Sequence, residues 1–313
     1  MDSAVPRRIQ VTGRNTFIVS LPHDWARKSG IKRGDAVYIH ETDEGALALT
    51  LRMQSGGMKA CTINISPEKA ESGMRNIVSA YVGGAGKIIL KGKGVYTIAE
   101  EARRVLSGVE ISEEEEDRLV LQVLAFDDLD IDGIIKREFS VTRSMFDLAG
   151  SAFSEKADLL TEISRKEDEV DRLYILLLRK MCMGKTQGRE AVFKAIAAKS
   201  IEKVSDHIED ICVSGRCIAP NRDIAALVSV SSAIFSAAYD SFSKNELDQR
   251  SFYEAKGVYQ EQNRLFENNL KREKNVQKML TLRSLSERCN KVLRYSEDIM
   301  ESANDILFAR MEG

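Results

Sequence analysis

The chain has 313 residues, of which 43% are hydrophobic and 30% charged, and its formal net charge at pH 7 is −2. This length holds two or three ordinary domains, and the near-neutral charge excludes a protein that binds polyanions through bulk charge alone. No run of 18 or more apolar residues occurs, and Met1 to Arg8 lack an apolar h-region. We therefore expect neither a transmembrane helix nor a secretory signal.

The cysteines and histidines restrict the possible chemistry. The five cysteines are scattered and form no CxxC pair, which is typical of reduced thiols in the cytoplasm. The three histidines, His23, His40 and His207, leave little material for a histidine-based metal site or a Ser-His-Asp triad. We expect a cytoplasmic protein that is not an enzyme and has no organic cofactor.

Residues 6–52 consist of short alternating and β-branched segments separated by turns. The predicted elements are two strands, a short helix with proline in its first turn, and a final hairpin: Arg8–Thr12, Thr16–Leu21, Pro22–Ser29, Ala36–His40 and Ala46–Leu51. A unit of under fifty residues has only a small core and usually needs a partner surface. We therefore expect the chain to form a homodimer through this module.

The same N-terminal region is basic. Its positive residues, set against few acids, are Arg7, Arg8, Arg14, Arg27, Lys28, Lys32 and Arg33. A basic module on an otherwise neutral chain is a possible footprint of nucleic-acid binding. The alternative is that these charges are only solvated surface.

Residues 58–127 alternate between strand and helix periods and predict a small α/β region. The predicted elements are Cys61–Ser66, Pro67–Val82, Lys87–Leu90, Tyr96–Leu106 and Leu119–Leu124, in the order strand, helix, strand, helix, strand. The glycine-rich Gly83–Lys87 lies between a helix and a strand, the reverse of a phosphate-binding loop, and is predicted to be a turn. The run of acids from Glu113 to Asp117 is assigned no element.

From residue 129 to its end the chain is predicted to be helical. Six helices are predicted, over 132–161, 165–183, 188–214, 221–242, 247–272 and 275–311. A faint repeat aligns Glu202–Ile211 with Asn290–Ile299, and Asp171–Tyr174 with Asn263–Phe266. The helices are therefore predicted to form two related three-helix units, about 132–217 and 221–313.

Carboxylates at helical spacing are the most specific chemical feature of this region. Glu167 and Asp171 share one helix face, and Glu202, Asp206 and Asp210 form a stripe on the next helix. Like charges at this spacing repel, whereas a cation between the helices would turn them into a cage of oxygen ligands. The alternative is a solvated acidic face relieved by neighbouring lysines and arginines.

The second unit has lost most of these acids. Asn263 stands at the position of Asp171, Asn290 at that of Glu202 and Arg294 at that of Asp206. A metal site is therefore expected mainly in the first unit.

A second acidic motif copies the start of a calcium-binding loop. Asp128, Asp130 and Asp132 precede Gly133, but the position that needs a bidentate glutamate holds Phe139. We interpret this motif as the acidic N-terminus of a helix.

Residues 7–51 resemble an AbrB/SpoVT-type domain. The resemblance rests on Arg8-Ile9-Gln10-Val11-Thr12-Gly13, on the segment Thr16–Trp25 and on Gly34-Asp35. It implies a swapped-hairpin β dimer that binds DNA through basic side chains. The residues that it assigns to DNA binding are Arg7, Arg8, Arg14, Arg27 and Lys28.

The C-terminal half resembles the PhoU family. The resemblance rests on Glu167–Tyr174 and on Ser200–Ile211, which is similar to the family's Leu-Glu-Arg-x-x-Asp-His helix, although Lys203 replaces the usual arginine and Asp210 an asparagine. It implies two three-helix bundles that can hold metal ions, with iron, zinc or magnesium as candidates. The residues that it assigns to a metal are Glu167, Asp171, Glu202, Asp206 and Asp210.

The combined prediction is a multidomain α+β protein. It comprises a swapped-hairpin β module over 1–53, a small α/β linker domain over 58–127 and a PhoU-like all-α pair of three-helix bundles over 129–313. The predicted function is a DNA-binding transcriptional regulator of phosphate uptake that senses phosphate status through its bundle. One alternative is an adaptor that docks on a phosphate transporter or sensor kinase without entering the membrane, and another is a metalloenzyme using the acidic cluster.

Overall fold

The structure is a computed structural model that describes residues 6–13, 16–41, 47–50, 59–66, 68, 70–124, 130–155, 159–183, 188–218, 220–244 and 249–311. The chain divides into two compact units, Met1–Gly56 and Gly57–Gly313. The second unit contains a four-stranded sheet domain and a bundle of six helices.

The N-terminal unit contains two hairpins and a short helix, in the order that the sequence predicts. Strand β1 (Gln10–Thr12) pairs antiparallel with β2 (Thr16–Ile18), and β3 (Tyr38–Glu41) pairs antiparallel with β4 (Leu47–Thr50). Helix α1 (His23–Lys28) lies between them in the chain, with Pro22 directly before its first residue.

Large apolar side chains of this unit face solvent in a single copy. Phe17 is 73% exposed, Ile9 and Leu47 are each 69% exposed, and helix α1 has no buried residue. No described residue between 6 and 50 is a buried apolar residue. The described residues of one copy therefore form no buried apolar core, and such a unit usually needs a partner surface.

The sheet domain has the α/β character that the sequence predicts. Its elements are β5 (Lys59–Asn64), α2 (Ala70–Val82), β6 (Ala85–Lys91), α3 (Val95–Val105), β7 (Val109–Glu115) and β8 (Arg118–Val123). The sheet order is β5-β6-β8-β7; only the β5–β6 pair is parallel, and α2 makes its crossover. Both helices pack on the sheet, where Ile77, Tyr81, Ile88, Leu90 and Leu121 are fully buried.

Strand β7 was not predicted, because its acidic residues give no apolar alternation. It is an edge strand paired with β8, and Glu113, Glu114 and Glu115 are all exposed. Arg118 on β8 offsets part of this charge, with its Nη2 2.9 Å from Glu113 Oε2 and its Nη1 3.2 Å from Glu115 Oε1. The first three acids of the run, Glu113 to Glu115, therefore form the exposed end of strand β7.

The turn after α2 confirms that the glycine-rich segment is not a phosphate-binding loop. Gly83 N–H donates to Ser79 O, and Gly84 N–H donates to Tyr81 O. Gly84 has a φ of +89°, and β6 starts at the next residue. Glycine is the residue that adopts this left-handed conformation without strain, which is why a helix can pass directly into a strand here.

The remaining helices number six in the described part of the chain, as predicted. They are α4 (Ile131–Glu155), α5 (Leu160–Met183), α6 (Arg189–Gly215), α7 (Arg222–Lys244), α8 (Arg250–Leu270) and α9 (Val276–Met311). The predicted boundary between the first two was wrong, since α4 ends at Glu155 and not at residue 161. Leu159 and Leu160 also pack on the core. The apolar spacing in the sequence therefore continues past the end of α4 and does not show where that helix ends.

The N-terminus of α4 is capped by an aspartate. Asp130 lies directly before the helix, and its Oδ1 accepts a 2.7 Å hydrogen bond from Gly133 N–H. This geometry supports the interpretation of the motif as an acidic helix start. Asp128 lies outside the described residues.

The six helices form two three-helix units, α4–α6 and α7–α9, that share one continuous core. Helix α6 packs along α9, and α4 packs along α7, so equivalent helices of the two units meet. Among the described helices, α7 alone has the length and apolar composition of a membrane span. However, Leu227, Val228 and Phe235 of α7 are buried in the bundle, as in the core helix of a soluble fold.

Helix α5 also contacts the sheet domain. Arg179 on α5 donates a hydrogen bond to Tyr81 O, and its guanidinium lies 4.6 Å from the centre of the Tyr81 ring. Ile175, one turn earlier, packs against the core of the sheet domain, and the side chain of Met183 lies beside Gly84. The bundle and the sheet domain are therefore joined through the C-terminal half of α5.

Candidate metal centre and nucleic-acid interface

Three of the predicted metal ligands come together between α5 and α6. Glu167 and Asp171 of α5 and Asp206 of α6 each offer a carboxylate oxygen, and these oxygens all lie within 4.8 Å of one another. The two helices follow each other in the chain and pack side by side, so successive turns of one face successive turns of the other. All three side chains are partly buried.

Glu202 adjoins this cluster one turn earlier on α6. It is 6% exposed, and Lys199 Nζ lies 2.6 Å from its Oε2. Lys203 Nζ lies 3.5 Å from Glu202 Oε1 and 2.5 Å from Asp206 Oδ2. Two lysines of α6 therefore neutralise part of the negative charge.

Burial and, after it, the remaining negative charge raise the pKa values of the α5 carboxyls. Burial, followed by repulsion from Asp171, raises the pKa of Glu167 to about 8. Burial, followed by repulsion from Glu202 and then Asp206, raises the pKa of Asp171 to about 6. These carboxyls are therefore crowded together without enough positive charge to hold them ionised.

The set of donors fits a hard cation. Carboxylate oxygens are the ligands that magnesium and calcium prefer, and they also suit manganese and iron, whereas zinc favours nitrogen and sulfur. Glu167, Asp171 and Asp206 would hold the ion, and its charge would relieve their repulsion. Cation binding at these residues stays a prediction.

Asp210, the fifth predicted ligand, pairs with an arginine of another helix. It forms an ion pair with Arg288 of α9, and His207 Nδ1 lies 3.8 Å from its Oδ2. The structure therefore places this carboxylate at the contact between the two three-helix units.

A further acid, Glu138 of α4, was not predicted from the sequence. This residue is 0% exposed, and neither of its carboxyl oxygens has a hydrogen-bond partner among the described residues. It lies on the buried stripe formed by Ile134, Ile135, Val141 and Met145. The signal that could have found it is a glutamate at a core position of an apolar period.

In the second three-helix unit, asparagines occupy the places of Asp171 and Glu202, and an arginine, Arg294, occupies that of Asp206. Ser286 Oγ donates to Asn263 Oδ1 at 3.0 Å, and the Tyr259 hydroxyl donates to Asn290 Oδ1 at 3.0 Å. Arg294 is exposed. At the two asparagine positions, hydrogen bonds between uncharged groups have thus replaced the crowded carboxyls.

Four of the five predicted DNA-binding residues lie on the exposed surface of the N-terminal unit. Arg7 and Arg8 precede β1, and Arg27 and Lys28 form the last turn of α1. Arg27 is 3.7 Å from Asp24, and both side chains are exposed, so this ion pair is weak. Arg14 lies outside the described residues.

Two family models match separate parts of the chain. Residues 135–214 match the family model of the PhoU domain. The chain carries a PhoU domain. Residues 10–55 match the model of the antidote-toxin recognition protein MazE, a bacterial antitoxin. These matches confirm the resemblance of the chain to PhoU proteins with an AbrB-like N-terminal module.

The PhoU match extends from the start of α4 to the end of α6. It therefore covers the helices that carry Glu138 and the acidic cluster. The MazE-like match covers both N-terminal hairpins and α1. No curated protein and no solved structure was found to match the chain.

Proposed function

We propose that the protein is a cytoplasmic, non-enzymatic regulator of phosphate uptake that binds DNA and responds to the state of its PhoU domain. The observation that supports this proposal is the presence of both domains in one chain. Both families are regulatory and non-catalytic, the PhoU domain in phosphate homeostasis and the MazE-like module in DNA binding.

The N-terminal module would bind DNA as a homodimer. Its exposed apolar residues, including Phe17 and Leu47, provide a surface that a second copy would cover. Pairing doubles the number of exposed basic residues, so that two sets of Arg7, Arg8 and Arg27 would face one duplex. Ion pairs of this kind with phosphates give affinity that decreases steeply with salt.

The acidic cluster would be the sensing element. Cation binding by Glu167, Asp171 and Asp206 would remove the repulsion between α5 and α6 and change how closely the helices pack. Asp171 and Arg179 lie eight residues apart on α5, about 12 Å along its axis. A shift of α5 would therefore reach the contact between Arg179 and Tyr81 in the sheet domain.

The first experiment measures binding of the full chain to DNA upstream of phosphate-transport genes across a salt series. The Arg7→Ala/Arg8→Ala variant should bind more weakly, and the slope of log affinity against log salt should become shallower by about 0.9 for each phosphate that the variant no longer neutralises. The matched control is Lys91→Ala/Lys93→Ala, which removes two exposed lysines of the sheet domain.

If the full chain does not bind DNA at low salt, the DNA-binding part of the proposal is wrong. The module would then serve only to dimerise the chain. The alternative function would be an adaptor, with the bundle docking on a phosphate transporter or sensor kinase at the membrane.

A further inference from the structure

A cavity of about 630 Å³ lies where the sheet domain meets the bundle. Arg104, in the last turn of α3, lines it from the sheet domain, and residues of the first half of α5, among them Arg165 and Arg172, line it from the bundle. Arg172 Nη1 lies 3.5 Å from Arg104 O, so the two helices contact each other beside the cavity. The volume is in the range of about 300–1,000 Å³ that is typical of small-molecule sites.

Four cationic side chains line this cavity, and none of them forms an ion pair with a described carboxylate. They are Arg104, Arg165, Lys166 and Arg172. The neighbouring Arg103 differs, because its Nη1 lies 2.9 Å from Glu100 Oε1 and its Nη2 lies 3.1 Å from Glu110 Oε2. Positive groups that line one cavity without counter-charges repel one another, and an anion between them would replace this repulsion with attraction.

Three acids also line the cavity, but one of them is already paired. Glu169 Oε1 lies 2.7 Å from Nη2 of Arg137, a residue of α4 that does not line the cavity. Glu162 and Asp168 form no ion pair with a described residue. Four positive charges therefore face two unpaired negative charges. The excess of two matches a phosphate monoester, which carries about −1.5 to −2 charges at pH 7.

The lining also indicates what the rest of the ligand is. Guanidinium groups present forked N–H donors that match phosphate oxygens, whereas the carboxylates of Glu162 and Asp168 accept hydrogen bonds and therefore suit hydroxyl groups. Leu159 is the only apolar residue among those that line the cavity, so the described lining offers no surface for stacking a nucleobase. These features together favour a phosphorylated compound that is rich in hydroxyl groups.

We propose that this cavity binds a sugar phosphate. Arg104, Arg165 and Arg172 would bind the phosphate group together with Lys166, and Glu162 and Asp168 would accept hydrogen bonds from the sugar hydroxyls. Because Arg104 belongs to α3 and the other residues belong to α5, the bound ligand would hold the sheet domain against the bundle.

The cavity and the acidic cluster lie on different sides of α5. Arg165 and Glu167 are two residues apart, which corresponds to about 200° around a helix, so their side chains point to opposite sides. Sugar-phosphate binding therefore depends neither on cation binding by the cluster nor on DNA binding by the N-terminal module.

The test is isothermal titration calorimetry of the full chain in phosphate-free buffer without divalent cations. Glucose 6-phosphate is the probe, and inorganic phosphate and AMP are the comparison ligands. Wild type should bind one glucose 6-phosphate per chain, more tightly than either comparison ligand. Arg165→Gln and Arg104→Gln should each weaken this binding about tenfold to hundredfold, because each removes charge-assisted hydrogen bonds to the phosphate.

An acid of the lining provides a test of opposite sign. Asp168→Ala should bind inorganic phosphate more tightly than wild type does, since a repelling charge is gone. The same variant should lose part of the preference for glucose 6-phosphate, because a hydroxyl group has lost its acceptor. A general effect of positive surface charge would instead raise the affinity for both ligands equally, and that result would overturn the role of Asp168.

The control Arg143→Gln removes an exposed arginine of α4 that does not line the cavity, and it should bind like wild type, as should Arg7→Ala/Arg8→Ala. Circular dichroism checks that each variant is folded. Absence of glucose 6-phosphate binding, or equal losses in Arg165→Gln and Arg143→Gln, would overturn the site. Equal affinity of wild type for inorganic phosphate and glucose 6-phosphate would overturn the recognition of hydroxyl groups, and tighter binding of AMP would overturn the sugar phosphate in favour of a nucleotide.

Discussion

Replacing Glu167 with glutamine should stabilise the protein in the absence of divalent cations, although it removes a predicted ligand. Burial and repulsion raise the pKa of Glu167 from its ordinary value of 4.5 to about 8, so the folded state holds a proton that the unfolded state releases. Stability linked to this group is therefore fully present below about pH 4.5 and is lost as the pH rises towards about 8. Glutamine cannot ionise and should not show this loss.

The size of the effect follows from the two pKa values. At pH 7 a shift from 4.5 to about 8 corresponds to an upper limit of about 3 kcal/mol. Solvent reaches part of the side chain and screens the repulsion, so we expect about 1–2 kcal/mol. In a chain of this size, that raises Tm by a few degrees, at about 2–4 °C per kcal/mol.

The assay is urea denaturation with a chelator at pH 4.5 and pH 7.5, comparing wild type, Glu167→Gln and the control Glu301→Gln. The gain should appear at pH 7.5 and nearly vanish at pH 4.5. With saturating Mn²⁺ the order should reverse, because only wild type keeps the full ligand set. A Glu167→Gln protein that is less stable than wild type at pH 7.5 without cations would show that the crowding described for this cluster is absent.

Three further predictions concern the sheet domain and the contact between α6 and α9. Gly92→Ala should destabilise the sheet domain by about 2–4 kcal/mol in chemical denaturation, since φ is +118° and a Cβ would lie 2.2 Å from Ile65 O. A double-mutant cycle on Asp210 and Arg288 should give a coupling energy of about 1 kcal/mol, because the pair is only partly buried. Burial lowers the pKa of His207 below 6.5, so protonation of this side chain should destabilise the fold as the pH falls below about 6.5. His207→Gln, which cannot be protonated in this range, should lose less stability on acidification than wild type.

Each of these predictions has a control or a contrary outcome. Gly150→Ala has open space around its Cβ and lies inside α4, so it should stabilise by about 0.5–1 kcal/mol. A coupling energy near zero between the Asp210 and Arg288 substitutions would show that the ion pair does not connect the two units. A pH profile unchanged by His207→Gln would assign the acid sensitivity to other groups.

Most of the fold could be predicted because its helices are long and strongly periodic. The six helices of the bundle follow from apolar spacing, and only the short break between α4 and α5 was misplaced, where leucines continue the pattern. Strand β7 could not be predicted, because its exposed glutamates follow neither a strand nor a helix pattern. Its pairing with β8 defines it, and that contact is not visible in the local sequence.

The acidic cluster was only partly predictable. A spacing of four residues exceeds one turn by about 40°, so the stripe from Glu202 to Asp210 rotates by about 80° around α6. That rotation accounts for Asp210 facing α9 and Arg288 while Asp206 faces α5. Glu138 was missed because it lies on a different helix, inside an apolar stripe, at no helical spacing from the other acids.

The neutral hydrogen bonds of the second three-helix unit have a mechanical consequence. Burial raises the pKa of Tyr259 well above 10, so its bond to Asn290 holds no charge at physiological pH. The two asparagine positions of the α7–α9 half therefore carry no carboxyl that an ion or a proton could neutralise, whereas their counterparts in the α4–α6 half, Asp171 and Glu202, do. If cations bind the acidic cluster as proposed, the change in charge would act on the α4–α6 half and would shift its helices against those of the α7–α9 half.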